Sequence, residues 1–437
     1  MKVRVPAAIA AWCAVAVAAL AGCSTDADPG PSADAARLDL VRVPEDASTF
    51  EDAAALVAEG GTIEIGEGTW EESLLVTTPD VTVRGADRNA TVIDGGGVRP
   101  FGVVGVASGV RIENLTVTGA TFYGVLVTGV FDGSGPAAHG AGAYEPFDPQ
   151  EFPPLQRFQI RGVTAYNNGL YGLYAFNAQH GTITESYASG SADSGIYVGQ
   201  CEECDILVQD NVAERNAVGF ENANASGLVV AGNRFTDNRV GMTFISNYVE
   251  AFSPQRSNLV VGNLVADNSS ADSPAQADGA FGIGIGIAGG VDNTFSRNRI
   301  AGHPYSGAVL TNTEDLAARG NVFVDNAFDA NGTDVANTAA DRAPTVGTCL
   351  TPLPGQVQPG LGSAPCEDAR QDPVTDPALL ATLEVPPGVS FLQVPVPREQ
   401  PHLSASRGSV PAAVEMPTAE DVPTPAADYL SARAGSR

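Results

Sequence analysis

The sequence contains almost no lysine and has no basic cluster. Lys2 is the only lysine among 437 residues, and 23 basic residues stand against 51 acidic ones, for a formal net charge of -28. A chain that lost its N-terminal segment would therefore have no lysine for catalysis. The strongly acidic balance also disfavours nucleic acids and anionic polymers as partners, since these are usually held by clustered positive charge.

Cysteine is scarce as well, and its placement is informative. Two of the six cysteines lie near the N-terminus, and an even set of four remains in an exported chain, which favours disulfides. The spacing of Cys201 and Cys204 is also compatible with a redox pair or with half of a metal site. A redox pair normally opens a helix, however, and zinc would need two more ligands at metal spacing. We predict two bridges, Cys201 to Cys204 and Cys349 to Cys366.

Long apolar runs are absent except at the N-terminus. Lys2 and Arg4 precede an apolar segment that ends at Leu20, which is typical of a secretory signal and short for a membrane span. Leu20-Ala-Gly-Cys23 resembles the processing box of bacterial lipoproteins. We therefore predict a signal peptide over residues 1–22, lipid attachment at Cys23, a flexible tether over residues 23–41 and an extracytoplasmic location.

What the sequence does contain is a repeat. Asn211 and Asn233 each follow an apolar strand, and each is followed five residues later by a second Asn and then by Gly219 or Gly241. The period of 22 residues lies in the range of one coil of a solenoid. Weaker copies run in both directions. Asparagine and glycine suit sharp corners, and stacked asparagines can bond along the stack; we assign one such stack to five residues: Asn211, Asn233, Asn263, Asn298 and Asn321.

Short strands joined by Gly and Asn turns predict an all-β parallel β-helix with three strands per coil over residues 42–345. A short amphipathic helix from about Thr49 to Gly60 would cap its open end. Residues 346–437 are rich in Pro and Ala, and we expect them to be either disordered or extended along the helix as a disulfide-pinned tail. The apolar piece Phe391 to Val396 could dock along a sheet.

At this point the residues resemble a family. Tyr166 to Tyr174, Tyr187 to Cys204 and the late pair Cys349 and Cys366 are similar to right-handed parallel β-helix repeat proteins, in particular exported bacterial lipoproteins. The resemblance implies the fold strongly and the function weakly, because the wider family includes polysaccharide lyases, hydrolases, epimerases and members of unknown role. The catalytic signatures of polygalacturonase-like hydrolases and pectin methylesterases are missing here.

The candidate site follows from strand alternation. If the strand after each repeat glycine alternates, Tyr174, Tyr197, Glu221 and Thr243 point outward in consecutive coils, about 4.8 Å apart. Tyrosines beside a carboxylate would suit a sugar ring. Four further residues could complete the groove: Asp193, His180, Tyr144 and Glu145. The alternative is that the tyrosines are good strand formers that pack on each other or on a loop.

These observations leave several functions open. The leading hypothesis is a monomeric, lipid-anchored protein that binds polysaccharide on the outward row and its loops. One alternative is a lyase or hydrolase acting on acidic glycans, with or without Ca²⁺, in which Glu221, Asp193 and a tyrosine or arginine would transfer protons. Another is a structural surface protein. The four histidines are isolated in sequence, so no metal site is predicted, and no catalytic residue is assigned beyond these candidates.

Overall fold

A computed structural model describes residues 37–133, 147–276, 280–362, 374, 380–403 and 410–435. The predicted signal peptide, Cys23 and most of the predicted tether therefore lie outside the described residues. No helix within the described ranges is both long and apolar enough to cross a membrane.

Three parallel sheets make up the described structure, and each turn of the chain contributes one strand to each sheet. The first sheet contains β1 (Leu38–Val43), β2 (Val57–Ile65), β5 (Thr82–Gly85), β8 (Val110–Glu113), β11 (Leu155–Arg161), β14 (Ala178–Thr184), β17 (Ile206–Gln209), β20 (Leu228–Ala231), β23 (Leu259–Val261), β26 (Thr294–Ser296), β29 (Val322–Val324) and β32 (Cys349–Thr351). The second contains β3 (Gly68–Trp70), β6 (Thr91–Asp94), β9 (Thr116–Thr118), β12 (Thr164–Tyr166), β15 (Tyr187–Ser189), β18 (Val212–Glu214), β21 (Arg234–Thr236), β24 (Leu264–Ala266), β27 (Arg299–Ala301) and β30 (Ala327–Asp329). The third contains β4 (Leu74–Val76), β7 (Phe101–Gly105), β10 (Tyr123–Thr128), β13 (Tyr171–Phe176), β16 (Ser194–Cys201), β19 (Val218–Ala225), β22 (Val240–Ile245), β25 (Ile283–Ala288), β28 (Ser306–Thr311) and β31 (Val335–Asn337).

This arrangement is a right-handed parallel β-helix, as the repeat predicted. Its strands run from Leu38 to Thr351, slightly beyond the predicted limits of 42 and 345. The interior is apolar, and rings from successive coils contact one another along the axis: Phe244 to Phe295 at 5.2 Å and Phe295 to Phe323 at 4.8 Å between centroids. Each coil is thus held to the next by both backbone pairing and a continuous core.

The helix α1 (Phe50–Leu56) caps the N-terminal end. Thr49 is its N-cap, with its side-chain oxygen accepting from the Asp52 amide at 3.1 Å. Phe50 is fully buried and lies 5.8 Å from the ring of Trp70. The helix therefore covers apolar side chains that the terminal coil would otherwise expose.

Asparagine ladders occupy all three corners, rather than the single stack that the sequence predicted. The stack between the first and second sheets is Asn211, Asn233, Asn263, Asn298 and Asn326. The stack between the second and third sheets is Asn216, Asn238, Asn268, His303 and Asn331. The stack between the third and first sheets is Asn258, Asn293 and Asn321.

The predicted position of Asn321 is therefore wrong by one corner. In early coils two asparagines five residues apart flank a strand of the second sheet, as Asn211 and Asn216 do. In later coils the same spacing flanks a strand of the first sheet, as Asn321 and Asn326 do. A spacing of five residues fits any corner-to-corner step across a three-residue strand, so the spacing alone could not separate the two cases.

The described part of the C-terminal segment lies extended along the solenoid. It includes two short 3-10 helices, Phe391–Gln393 and Ser431–Arg433. Val394 is buried, and its carbonyl accepts from Asn167 at 3.0 Å, so the predicted docking piece does dock. A second group of tail residues packs on apolar side chains of the first sheet and its edge: Val414, Met416, Ala419 and Val422.

Cysteine positions agree with the structural role expected of them. Cys201 and Cys204 form a disulfide at the end of β16, and both side chains face the buried core. Cys349 in β32 is also disulfide-bonded, while its predicted partner Cys366 lies outside the described residues.

Candidate functional site

The four residues predicted to point outward are aligned with one another in successive coils. Tyr174 pairs with Tyr197, Tyr197 with Glu221 and Glu221 with Thr243, on β13, β16, β19 and β22 of the third sheet. Their sequence neighbours on these strands belong to the interior core, whereas Tyr174 and Tyr197 belong to a separate apolar cluster. The row therefore points away from the axis of the solenoid.

This row does not form an open surface: its tyrosines pack on each other and on a loop, as the alternative interpretation of the sequence predicted. Tyr174 and Tyr197 are fully buried, and Glu221 is only 5% exposed. The cause is the interruption of the repeat between β10 and β11. From that insertion Phe147 and Phe152 pack against the cluster, and the Phe147 ring lies 5.5 Å from that of Phe176.

Four tyrosine rings form the centre of the covered region, and two of them were not anticipated from the sequence. Tyr123 stacks on Tyr171 with 5.9 Å between centroids, and Tyr171 lies 4.6 Å from both Tyr174 and Tyr197. Tyr174 and Tyr197 meet edge to face at 4.8 Å. Aromatic pairs in such geometry stabilise one another beyond the area they bury. Burial raises the pKa of Tyr123 well above its ordinary value, so its hydroxyl stays protonated.

A carboxyl pair adjoins this tyrosine cluster, and both members were predicted. Ser194 Oγ lies within hydrogen-bond distance of Glu221 Oε2 and 3.2 Å from Asp193 Oδ1. Gln276, from the loop between β24 and β25, donates to the same Asp193 oxygen. Burial raises the pKa of Glu221 well above its ordinary value, and the charge of Asp193 raises it further; the hydrogen bond from Ser194 acts in the opposite direction.

The protonation states follow from this geometry. Ser194 has one hydroxyl proton and so can donate to only one of the two carboxyl groups. Since Glu221 is the group with the strongly raised pKa, its own proton satisfies one contact and the Ser194 proton satisfies the other. The result is a short hydrogen-bonded chain that joins Glu221, Ser194 and Asp193, in which Glu221 and Asp193 also bond to each other directly. Such a chain can store and transfer one proton.

Glu250 is a third carboxyl group at this site, and the sequence analysis did not identify it. It lies in the loop after β22, is 7% exposed and acts on the pKa of Glu221 through its charge. Burial raises its own pKa to about 7, which the Gln200 side chain partly opposes. Neither oxygen of Glu250 accepts a well-formed hydrogen bond from the residues that the structure describes.

The sheet is less covered beyond Glu221. Thr243 and Gly286, the next members of the row, are half-buried, and a Cβ added to Gly286 would meet nothing closer than 3.8 Å. The loops after β22 and after β24 lie on either side. The Gln200 side chain anchors the first by accepting from the Ala251 amide at 3.0 Å. The face thus changes from closed over the tyrosines to half-buried at Thr243 and Gly286, with the carboxyl groups at the boundary, and it is closed again at Val309.

The other predicted site residues are not brought to this boundary. His180 lies near the start of β14 in the first sheet, where its Nδ1 is 2.9 Å from Asp205 and its backbone amide donates to the Cys204 carbonyl. Tyr144 and Glu145 lie outside the described residues. Within the described residues, no group of three or more His, Cys, Asp or Glu is arranged to hold a metal ion.

Comparison with known families agrees with the architecture. The family described as the right handed beta helix region matches residues 154–328. The match agrees with the observed fold, a right-handed parallel β-helix. No curated protein matches the β-helix chain in sequence.

The chain is also similar to solved structures, at low sequence identity and with TM-scores below 0.5. The A-module of the Azotobacter vinelandii mannuronan C-5 epimerase AlgE4 is 14% identical, with a TM-score of 0.38, and the alignment covers 71% of this chain and 93% of that one. A periplasmic alginate epimerase, AlgG, is 16% identical with a TM-score of 0.44, at 69% and 76% coverage. The Dettilon tailspike protein is 14% identical with a TM-score of 0.41, at 63% and 56% coverage.

Proposed function

We propose that this β-helix protein binds a polysaccharide at the boundary on its third sheet, next to Asp193, Glu221 and Glu250. The observation that carries the proposal is that three carboxyl groups lie together on the outward face, between a closed aromatic region and the half-buried positions Thr243 and Gly286. Carboxyl groups accept hydrogen bonds from sugar hydroxyls, and the small side chains at those two positions leave room for a sugar ring.

The location of the protein is part of the proposal. The signal-like N-terminus and the box ending at Cys23 support export and lipid anchoring. The disulfide between Cys201 and Cys204 is consistent with an oxidising compartment. An anchored β-helix would present the third sheet to envelope or environmental glycans.

Binding is tested by a glycan array followed by titration calorimetry with the best ligand. Glu221→Gln keeps the size of the side chain but removes the proton chain to Asp193, and we expect it to weaken binding about tenfold or more. The matched control is Glu214→Gln, which changes an equally buried glutamate on the second sheet, where the Tyr187 hydroxyl donates to it at 2.7 Å. Circular dichroism establishes that both variants fold. Equal binding by wild type and Glu221→Gln would contradict the proposal.

A second function, glycan hydrolysis or lyase chemistry, is favoured by one specific observation. Glu221, whose pKa is strongly raised by burial, and Asp193 meet at Ser194, which places a proton donor beside a second carboxyl group. Incubation with bound polymers, followed by assays for reducing ends and for the absorbance of unsaturated products, separates the two functions. A polymer that binds and yields neither product would exclude catalysis on it.

A further inference from the structure

A cavity lies between the outer face of the second sheet and the C-terminal segment. Its floor is one row of side chains, Val92, Thr116 and Thr164, which are aligned on the adjacent strands β6, β9 and β12. Residues 396–398 of the C-terminal segment form the opposite wall, and the cavity measures about 160 Å³. Since a cavity of about 150 Å³ takes up a benzene molecule, this one has room for one six-membered ring.

The C-terminal segment is anchored on both sides of the cavity. At the corner between the second and third sheets, Asn167 Nδ2 donates to the Val394 carbonyl at 3.0 Å. At the corner between the first and second sheets, Asn89 exchanges two hydrogen bonds with the backbone of Gln400, at 3.0 and 2.9 Å. The segment therefore crosses the sheet between two fixed points, above short side chains that do not fill the space beneath it.

The two threonines of the floor supply one donor and one acceptor. Thr164 Oγ1 accepts from Arg88 Nε at 3.0 Å, so its own proton is left to donate. Thr116 Oγ1 donates to the Arg88 carbonyl at 2.7 Å, so its lone pairs are left to accept. Hydroxyl groups on a ring can satisfy both.

Arg398 gives the cavity a positive charge. It is the one charged side chain among the described residues that line the space. Its Nη1 donates to the Ala432 carbonyl at 3.0 Å, and it forms no salt bridge within the described part of the chain. Nε and Nη2 remain, and together they form an edge of the guanidinium that matches the two oxygens of a carboxylate.

We propose that this cavity is a ligand site, separate from the boundary on the third sheet, for a molecule with one six-membered ring and a carboxylate. Arg398 pairs with the carboxylate, and the hydroxyls of Thr116 and Thr164 bond the substituents of the ring. Tyr166 and Val396, which also line the cavity, contact the faces of the ring. Sugar acids and aromatic acids both carry these groups.

NMR titration of the purified full-length protein at pH 7 with four probes separates the two kinds of acid. The acids are glucuronate and benzoate, and their neutral counterparts are glucose and benzyl alcohol. We expect one of the acids to bind about tenfold or more tightly than its neutral counterpart, because the neutral molecule cannot form the charge-assisted pair of hydrogen bonds.

Two variants probe the cavity by independent means. Arg398→Gln removes the cation and should weaken binding of the acid about tenfold or more. Because Arg398 also holds the Ala432 carbonyl, the second variant leaves every anchor of the segment in place: Val92→Phe fills the cavity from its floor and should abolish binding. Arg42→Gln, at an exposed arginine of β1, is the matched control and should change nothing. Thermal unfolding establishes that each variant folds.

The outcomes decide the proposal without reference to the third sheet. Loss of acid binding in both variants, with binding kept in Arg42→Gln and in Glu221→Gln, would support it. Binding of an acid that survives Val92→Phe would place the ligand elsewhere and overturn the proposal. Equal affinities for acids and neutral counterparts, or no binding of any probe at millimolar concentration, would overturn it as well, while the polysaccharide function would stand.

Discussion

His303 replaces an asparagine in the ladder between the second and third sheets, and it should make the stability of the β-helix depend on pH. The residue is fully buried, with Nε2 3.1 Å from Asn268 Nδ2 and Nδ1 3.0 Å from Asn331 Oδ1. Only a neutral ring with its proton on Nδ1 satisfies both contacts, because Nε2 must accept. A Cβ at Gly284 would lie 2.9 Å from the ring, so the glycine provides the space that the ring needs.

Burial lowers the pKa of His303 from 6.5 to about 4, and the contact with Asn331 opposes this only in part. The unfolded chain therefore takes up the proton first as the pH falls. The contribution of His303 to stability is fully present above pH 6.5 and is lost progressively between pH 6.5 and 4. Linkage gives a loss of about 2 kcal/mol between pH 7.5 and 5.

The assay is equilibrium urea unfolding followed by circular dichroism at pH 7.5 and 5.0. His303→Asn restores the ladder residue found in neighbouring coils and removes the titrating group. Between pH 7.5 and 5.0, the free energy of unfolding of the variant should therefore fall by about 2 kcal/mol less than that of the wild type. At pH 7.5 the variant should be destabilised by about 1 kcal/mol, because the asparagine leaves space beside Gly284. His402→Asn, at a largely exposed position, is the matched control. Equal pH dependence in wild type and His303→Asn would refute the reasoning.

Three further predictions concern the scaffold, and all use urea or thermal unfolding. Asn233→Ala should destabilise the protein by about 3 kcal/mol, because it removes the side-chain hydrogen bonds to the buried Val208 carbonyl and from the Asn211 backbone amide. Asn326→Ala, at the partly buried end of the same ladder, should cost about 1 kcal/mol, and equal costs would contradict the ladder. Deleting residues 380–437 should lower the melting temperature and increase binding of an apolar dye, and an unchanged melting curve would show that the tail contributes nothing. Tyr187→Phe should cost about 2 kcal/mol because it removes the 2.7 Å hydrogen bond to the buried Glu214, and a neutral effect would mean that another donor replaces it.

The architecture could be predicted from sequence because the repeat is a local signal. Strand length, apolar alternation and the corner asparagines lie within one coil, and the parallel β-helix follows from stacking such coils. The pairing of Tyr197 with Glu221 also followed, since the two residues occupy equal positions in successive coils. The limits of local reasoning appear at Asn321, where a correct spacing was assigned to the wrong corner.

The state of the outward row could not be predicted in the same way. Whether Tyr174 is open or buried depends on where the insertion after β10 lies, and no repeat position specifies that. Glu250 was missed for a related reason: it lies in a loop without periodicity and reaches the site only through the path of that loop. The sequence indicated Glu250 only through its place in a segment that interrupts the repeat. Such an interruption marks a region of possible function but does not single out a residue.

The arrangement of the third sheet indicates which part of the protein controls access to the candidate site. Strand pairing and the core fix the backbone of β19, so the position of Glu221 is set by the scaffold. Access to it is set by the loops: Gln276 contacts Asp193 from one side, and the loop that carries Glu250 is held to Gln200 on the other. Because each contact involves few residues, the loops can separate from the sheet at much smaller cost than a coil can open.

Gln276→Ala should therefore increase access to the carboxyl pair without lowering the melting temperature. The rate of proteolysis within the loop measures the access, and thermal unfolding measures the melting temperature. A drop in melting temperature equal to that of a ladder variant would show instead that the loop belongs to the scaffold.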